Sequence, residues 1–390
     1  MLGIVAIEAF LPFSRPTITE AAIAEVVQCL RSGWITTGPR VQRFEKILCD
    51  YFATAGVQSC ASATAGLLMA LLSLDLKPGD EVITSPLTFA ATFNTIVLAG
   101  GTPRLVDVDG RTCNLDVQKL ETAITPRTRA VMPVHFAGLP VDLDPLYLLA
   151  EKRGLRVIED CAHAIGTEYK GRKIGSFGDT QVFSFHPNKN ITTGEGGCVV
   201  TRDPAMRQRI EELRFHGIDR SAFPELQKRG LPHYDIALPG HKFNMMDLQA
   251  ALGIHQLPLL DTFIERRREL AERYIEAFAG WDTLRLPGRP EFGYRHAWHL
   301  FAPLICGESR QISRETFMEC MKADGIGIGL HYQAVHLSRY YRETFGFRAG
   351  DFPHAEFICD RIVSLPLFPG MTNADQDRVV AAMTRHLRGH

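Results

Sequence analysis

The chain has almost no surplus of either charge: 43 Lys and Arg face 44 Asp and Glu over 390 residues, a formal net charge of −1. A chain so balanced has no positive excess with which to hold nucleic acid or an anionic membrane surface through charge alone. It lacks any uninterrupted apolar run long enough to span a bilayer. Its first residues, MLGIVAIEAFLPF, carry no basic leader and are interrupted by Glu8, which argues against a secretory signal. Nine cysteines are scattered, odd in number and without a CxxC pair, a usage that fits reduced thiols in the cytoplasm better than a disulfide framework. No GxGxxG follows an apolar strand, which disfavours a dinucleotide-binding fold. Internal repeats and low-complexity segments are also missing.

What is present is an ordinary globular composition, 45% apolar and 22% charged, in a chain long enough for two domains. Apolar runs predict strands at 57–60, 81–84, 103–106, 130–134 and 156–158. Amphipathic or apolar periodicity predicts helices at 41–52, 67–74, 90–99, 116–123 and 145–153. Such alternation implies an α/β domain with a mostly parallel sheet covered on both faces. A helix over 19–32 precedes it, with Thr19 as N-cap, and another covers 204–214. The stretch 221–240, rich in Pro, Gly and charge, reads as a long exposed loop. Asn244 and Asp247 open a helical region running to residue 278 with a kink at Pro258. A strand at 299–304 and helices at 313–324 and 375–388 then suggest a smaller α+β domain. The expected division is 1–255 and 256–390.

The stretch 183–201, FSFHPNKNITTGEGGCVVT, organises the chain. Two strand-like runs flank a tight connection that carries Lys189, held by Pro187 and four turn residues from Gly194 to Gly197. A lysine there is either solvated or placed for chemistry. Asp160 ends the predicted strand at 156–158, and the carboxyl ends of strands are where open α/β sheets place ligands. Ser62-Ala63-Thr64-Ala65-Gly66 opens a helix with small residues, which serve either close packing or a phosphate at the positive end of the helix dipole. Lysine, carboxylate and phosphate cradle together are what pyridoxal 5′-phosphate requires: an amine for a Schiff base and an acid to keep the pyridine nitrogen protonated. Phe89 is either core or a ring that stacks on such a cofactor. The apolar turn at 34–39 either packs on the core or touches substrate. Asp160 with His163 lacks a third metal ligand at suitable spacing, and a structural role suits His331 and His336 better than a metal, so no metal site is expected. His163 by itself could be a buried hydrogen-bonding group.

The pattern Ser-Phe-x-x-x-Lys-Asn at Ser184 to Asn190 resembles the DegT/DnrJ/EryC1/StrS family of sugar aminotransferases. So do Glu159-Asp160-x-x-His163, the small-residue run at 62–66 and His216-Gly217. The resemblance covers nearly the whole chain. It implies an aspartate-aminotransferase-like α/β fold (PLP fold type I) and a homodimer with shared active sites. Lys189 would be the Schiff-base lysine and proton carrier, and Asp160 the partner of the pyridinium. His163 would lie near the ring hydroxyl or support Asp160, and Phe89 would stack on the ring. Ala63, Thr64 and Ser184 would hold the phosphate, completed by Asn244 from the neighbouring subunit. Trp34, Thr36, His331 and Tyr332 would face the sugar. Residues 32–39, 62–66, 184–186, 296–301, 329–331 and 364–369 are most similar to the branch of the family that makes UDP-4-amino-4-deoxy-L-arabinose for lipid A modification in lipopolysaccharide biosynthesis. That branch carries Trp where this chain has Phe89, and Pro187-Asn188 follows the wider family. The implied reaction moves an amino group from L-glutamate, giving 2-oxoglutarate, to a UDP-4-keto-pentose. A UDP-4-keto-6-deoxyhexose is the alternative. A non-catalytic sensor would need neither Lys189 nor Asp160. Lys228, Arg229 and Lys242 are candidates for holding the diphosphate.

Overall fold

The structure, a computed structural model, describes residues 10–219, 234–306 and 312–388. Helix α1 (Glu20–Ser32) begins where expected, because Thr19 Oγ1 accepts the Ala22 N–H at 3.2 Å, and it ends at Gly33 in the left-handed region. Helix α2 (Pro39–Phe52) has no side-chain cap of its own at Gly38. Its free N–H groups are taken from a distance: the buried Asp247 carboxylate accepts from Gly38, Arg40 and Val41 at 2.8, 3.1 and 2.9 Å. This long-range cap satisfies donors that a helix start otherwise leaves unpaired, and it ties α2 to a segment two hundred residues away.

Strand β1 (Val57–Cys60) follows, then α3 (Ala63–Leu72), β2 (Glu81–Thr84), α4 (Ala90–Leu98), β3 (Thr102–Leu105), β4 (Thr128–Val131) and β5 (Arg156–Asp160). Helix α3 starts four residues earlier than the apolar run predicts, since Ser62 Oγ caps it at Ala65 N–H. The glycine at 66 is accepted there because a Cβ would lie 2.7 Å from Val182. The predicted helix at 116–123 splits into a 3₁₀ turn (Val117–Lys119) and the short α5 (Leu120–Ala123); α6 (Leu143–Arg153) then covers the sheet. Two short strands, β6 (Glu168–Tyr169) and β7 (Arg172–Lys173), precede β8 (Thr180–Ser184) and β9 (Gly197–Thr201).

The seven-stranded sheet has the order β1-β9-β8-β5-β4-β2-β3. Its four pairings from β8 to β3 are parallel, and only the β8–β9 and β9–β1 pairings are antiparallel. Every residue of β1, β2, β8 and β9 is buried, as in a sheet covered on both faces. Parallel strands put their carboxyl ends on one edge. Asp160 and Ser184 therefore emerge side by side with the amino terminus of α3.

Helix α7 (Pro204–Leu213) closes this half. The expected long loop lies outside the described residues from 220 to 233, including Lys228 and Arg229. After it, Asp235–Ile236 pairs with Ile218–Asp219. Asn244 does not open the next helix: its backbone forms an antiparallel bridge to Cys60, and α8 runs Asp247–Gln256. Pro258 does interrupt the helical region, in a 3₁₀ turn (Leu257–Leu259) before α9 (Leu260–Ala277). The first turns of α9 bury Leu260, Phe263 and Ile264 in the core beside the sheet. Its later turns bury Leu270 and Tyr274 in a second core with Phe301, Phe317, Leu365 and Val379. Leu11 joins the second core, bridged to Ile326. The strand expected at 299–304 shrinks to Leu304–Ile305, paired with Leu284–Arg285, because Trp298 turns into the left-handed region (φ 47°) just before it. Helices Arg314–Ala323 and Asn373–Leu387 match expectation within two residues. Among the described residues no helix is long and apolar enough to cross a membrane.

Candidate active site

A cavity of about 300 Å³ opens at the carboxyl edge of the sheet, lined by Ala63, Thr64, Phe89, Asp160, His163, Ser184, Lys189, His331 and Tyr332. Nine of the twelve expected site residues thus meet in one place. The amino terminus of α3 forms one wall, and β9 lies so close to it that a Cβ on Gly197 would sit 2.6 Å from Ala63 N. That glycine lets the two backbones approach closely, so that Ser62, Ala63 and Thr64 at the amino terminus of α3 line the cavity, and a helix amino terminus suits a phosphate.

Asp160 forms the floor, at 5% exposure. Its carboxylate accepts from Thr92 Oγ1 at 2.8 Å and from Ala162 N–H at 3.1 Å, and Thr92 pairs with Thr88 at 2.7 Å. Burial pushes this carboxyl up, opposed by those hydrogen bonds and by Lys189. Burial also pushes the Lys189 amine down to about 8, opposed by Asp160. Each group therefore favours the charged form of the other, and desolvation works against both.

His163 does not bond Asp160. Its Nδ1 accepts from Ala137 N–H at 3.2 Å, so the proton sits on Nε2, which meets Tyr332 Oη at 2.7 Å. Tyr332 is 5.9 Å from the Phe89 ring, which is 60% exposed at the cavity mouth. His331 Nδ1 meets Ser364 Oγ at 2.9 Å. Burial, with the Lys189 charge second, holds His331 down to about 3, so it enters the cavity as a neutral group.

Trp34, Thr36 and Asn244 stand apart from this cavity. Trp34 is 55% exposed, with Nε1 donating to Thr37 O; the Thr36 carbonyl accepts from Asp247 N–H; Asn244 Nδ2 donates to Thr37 Oγ1 at 2.6 Å. Together with the exposed Ile35 and Met246 they make one surface patch. Lys242 Nζ bonds Asn244 Oδ1 on that patch. His331 and His336 do not converge, since His336 pairs with Glu356 at 3.0 Å. Behind the site, His135, Glu159 and Cys161 bring ligand atoms within 4.8 Å of one another. Glu159 is already taken by His135 (2.8 Å), Tyr147 (2.7 Å) and Gln181 (2.6 Å), and His135 Nδ1 accepts from Val141 N–H.

Sequence reasoning missed Thr88, Thr92 and His299. The first two stand four residues apart at the start of a helix, a spacing that puts both hydroxyls on one face, and that signal was readable. His299 Nε2 lies 3.4 Å from Lys189 Nζ, a contact that only the fold reveals.

The model of the DegT/DnrJ/EryC1/StrS aminotransferase family matches residues 16–384. An uncharacterized protein of Methanocaldococcus jannaschii is 45% identical over 378 residues, 97% of this chain and 98% of that one. The spore coat polysaccharide biosynthesis protein SpsC of Bacillus subtilis is 43% identical over 381 residues, again 97% and 98%. Among solved structures, Spr1654 of Streptococcus pneumoniae, a proposed sugar aminotransferase, superposes in its PMP form with a TM-score of 0.90 at 33% identity, covering 97% of this chain and 99% of that one. Its PLP form gives 0.89. Helicobacter pylori PseC, an aminotransferase involved in the biosynthesis of pseudoaminic acid, gives 0.90 at 27% identity, covering 98% and 100%.

Proposed function

The chain belongs to the DegT/DnrJ/EryC1/StrS aminotransferase family, and from that premise we propose that it transfers an amino group from L-glutamate to the keto carbon of a UDP-linked 4-keto sugar. Pyridoxal 5′-phosphate is its cofactor, and the fold is the type I fold of these enzymes. The observation that carries the reading is the pairing, in one cavity, of a buried carboxylate and a buried amine, pushed down to about 8 by its burial, beside the amino terminus of α3. The residues fit the group: the α3 amino terminus with Ser184 would hold its phosphate, Asp160 its ring nitrogen and Lys189 its aldehyde carbon. When bound, the cofactor supplies an electron sink for the amino-group exchange. The protein's own part is to place Lys189 for proton movement, to keep Asp160 charged through Thr92 and Ala162, and to present His331 and Tyr332 to the sugar.

A pentose is the preferred sugar, because the segments at 296–301, 329–331 and 364–369 that resemble the aminoarabinose branch include His331 on the cavity wall. PseC is named for pseudoaminic acid rather than an aminopentose, which favours a UDP-4-keto-6-deoxyhexose as the second reading. A panel of nucleotide 4-keto sugars with glutamate decides: 2-oxoglutarate release should be fastest with the UDP-4-keto-pentose. If no keto sugar in the panel accepts the amino group, the proposed reaction is wrong.

The proposal includes a homodimer. Asn244 lies outside its own chain's cavity, on a patch with exposed Trp34, Ile35 and Met246, where a second copy would bury apolar surface and bring Asn244 to its phosphate. Lys189→Ala and Asn244→Ala subunits, each nearly inactive alone, should regain activity when mixed under exchange conditions. The heterodimer carries one site with both lesions and one with neither. A fully active monomer in sedimentation, or proven exchange without recovery, would refute shared sites.

A further inference from the structure

We propose that His299 is a positioning residue for the reacting amine: its Nε2 accepts a hydrogen bond from Lys189 and thereby fixes both the direction and the protonation of that amine. The proposal rests on the reading of Lys189 as the amine that meets the cofactor.

Geometry separates His299 from its neighbours. Its Nε2 stands 3.4 Å from Lys189 Nζ, and its ring centre lies 4.3 Å from that of His163. His163 has no lone pair to offer at Nε2, because Ala137 N–H occupies Nδ1 and forces the proton onto Nε2. On His299 nothing does so: Nδ1 is buried and has no hydrogen-bond partner among the described residues. The neutral ring is free to carry its proton on Nδ1 and present the Nε2 lone pair to the ammonium.

The ring is held in that place by an unusual mount. Arg267, buried on α9, donates through Nη1 to the carbonyls of Trp298 (3.3 Å), His299 (3.3 Å) and Leu367 (2.7 Å). A guanidinium spent on three carbonyls is costly to bury, and what it fixes is the turn in which Trp298 takes its left-handed conformation and His299 reaches Lys189. The Trp298 ring stacks on His296 at 3.9 Å, which holds the same turn from its other side.

The charges around the pair leave His299 neutral. Burial, then Lys189, His163, Arg267 and His331, keep its imidazole well below the usual range. Asp160 on β5 is the acid facing Lys189, Tyr332 is held neutral by burial, and His163 and His331 are held neutral by burial and by the Lys189 charge. A neutral acceptor beside a buried ammonium stabilises the cation more than the free amine, so the contact raises the Lys189 pKa against the desolvation that lowers it.

The test uses cofactor-free protein. Competitive acetylation with acetic anhydride across pH, quantified on the Lys189 peptide by mass spectrometry, reports the midpoint at which the amine becomes reactive. The wild-type midpoint should lie near 8. In His299→Phe or His299→Leu it should fall by about one pH unit, the scale of one charge-assisted hydrogen bond. In His299→Gln, whose amide oxygen can accept, it should stay near wild type. A merely structural role would not sort the variants by acceptor capacity. Apolar variants with the wild-type midpoint, or a Gln variant displaced as far as they are, would overturn the proposal. Borohydride fixation of the cofactor on another lysine would instead overturn the reading of Lys189 itself, while the midpoints would still decide the His299 contact.

Discussion

Turnover by the Lys189→Ala variant should fall by at least ~10⁴-fold, because in the proposed reaction one group would both anchor the cofactor and carry the proton, and the proton role alone supplies roughly 10²–10⁴. The loss should not come from unfolding. Among the described residues the amine makes one hydrogen-bond contact, the 3.4 Å approach to His299, and burial disfavours its charge. The melting temperature without cofactor should therefore stay level or rise slightly. Borohydride treatment of the wild-type holoenzyme, followed by peptide mapping, should leave the phosphopyridoxyl group on Lys189 and on no other lysine. In the variant it should leave none. A variant that retains a reducible covalent link, or turns over within tenfold of wild type, would remove Lys189 from the centre of the site.

Much of this site was legible because its parts are local. A lysine on a tight turn between two strands, an acid at a strand's end and a run of small residues opening a helix are each short patterns with a physical cause. The strand–helix alternation then requires one sheet edge to gather them, as it gathers Asp160, Ser184 and the start of α3. What periodicity could not supply was contact made by turns. Trp298 takes a backbone conformation that a strand pattern cannot announce, so the reading of 299–304 as strand hid the route by which His299 arrives. Asn244 and Asp247 look alike as polar residues at the head of a helix. One is instead a bridge partner of Cys60, and the other caps α2 across the whole sequence. Thr92 shows the converse case: its spacing from Thr88 was visible, but a threonine in a helix has no chemistry to suggest until Asp160 is seen beside it.

Asp160→Asn separates charge from shape at the floor of the cavity. The amide keeps the volume and can still accept from Ala162 N–H, and cofactor should remain bound through Lys189 and the α3 amino terminus. What disappears is the negative charge that would hold a proton on the ring nitrogen. The half-reaction with glutamate, followed by stopped-flow absorbance, should slow by ~10²–10⁴-fold, the range that positioned charge and proton control provide. Stability without cofactor should move the other way. Burial raises the folded-state pKa of Asp160 above its unfolded value. Relative to the unfolded chain, folding therefore makes ionisation of Asp160 harder, and the cost to stability sets in above the unfolded pKa and is complete above the folded one. Removing the charge should leave the ligand-free Asp160→Asn protein at least as stable as wild type at pH 7. Any gain should shrink as the pH falls toward the unfolded carboxylate range near ~4. Calorimetry of both proteins at pH 7 and pH 5 reads that difference directly. A variant that melts lower at pH 7 would mean that Thr92, Ala162 and Lys189 stabilise the carboxylate more than burial opposes it. A variant with normal half-reaction rates would mean that another group charges the ring. An Asn variant that is slow yet no less stable identifies Asp160 as a charge kept in place for chemistry at the expense of the fold.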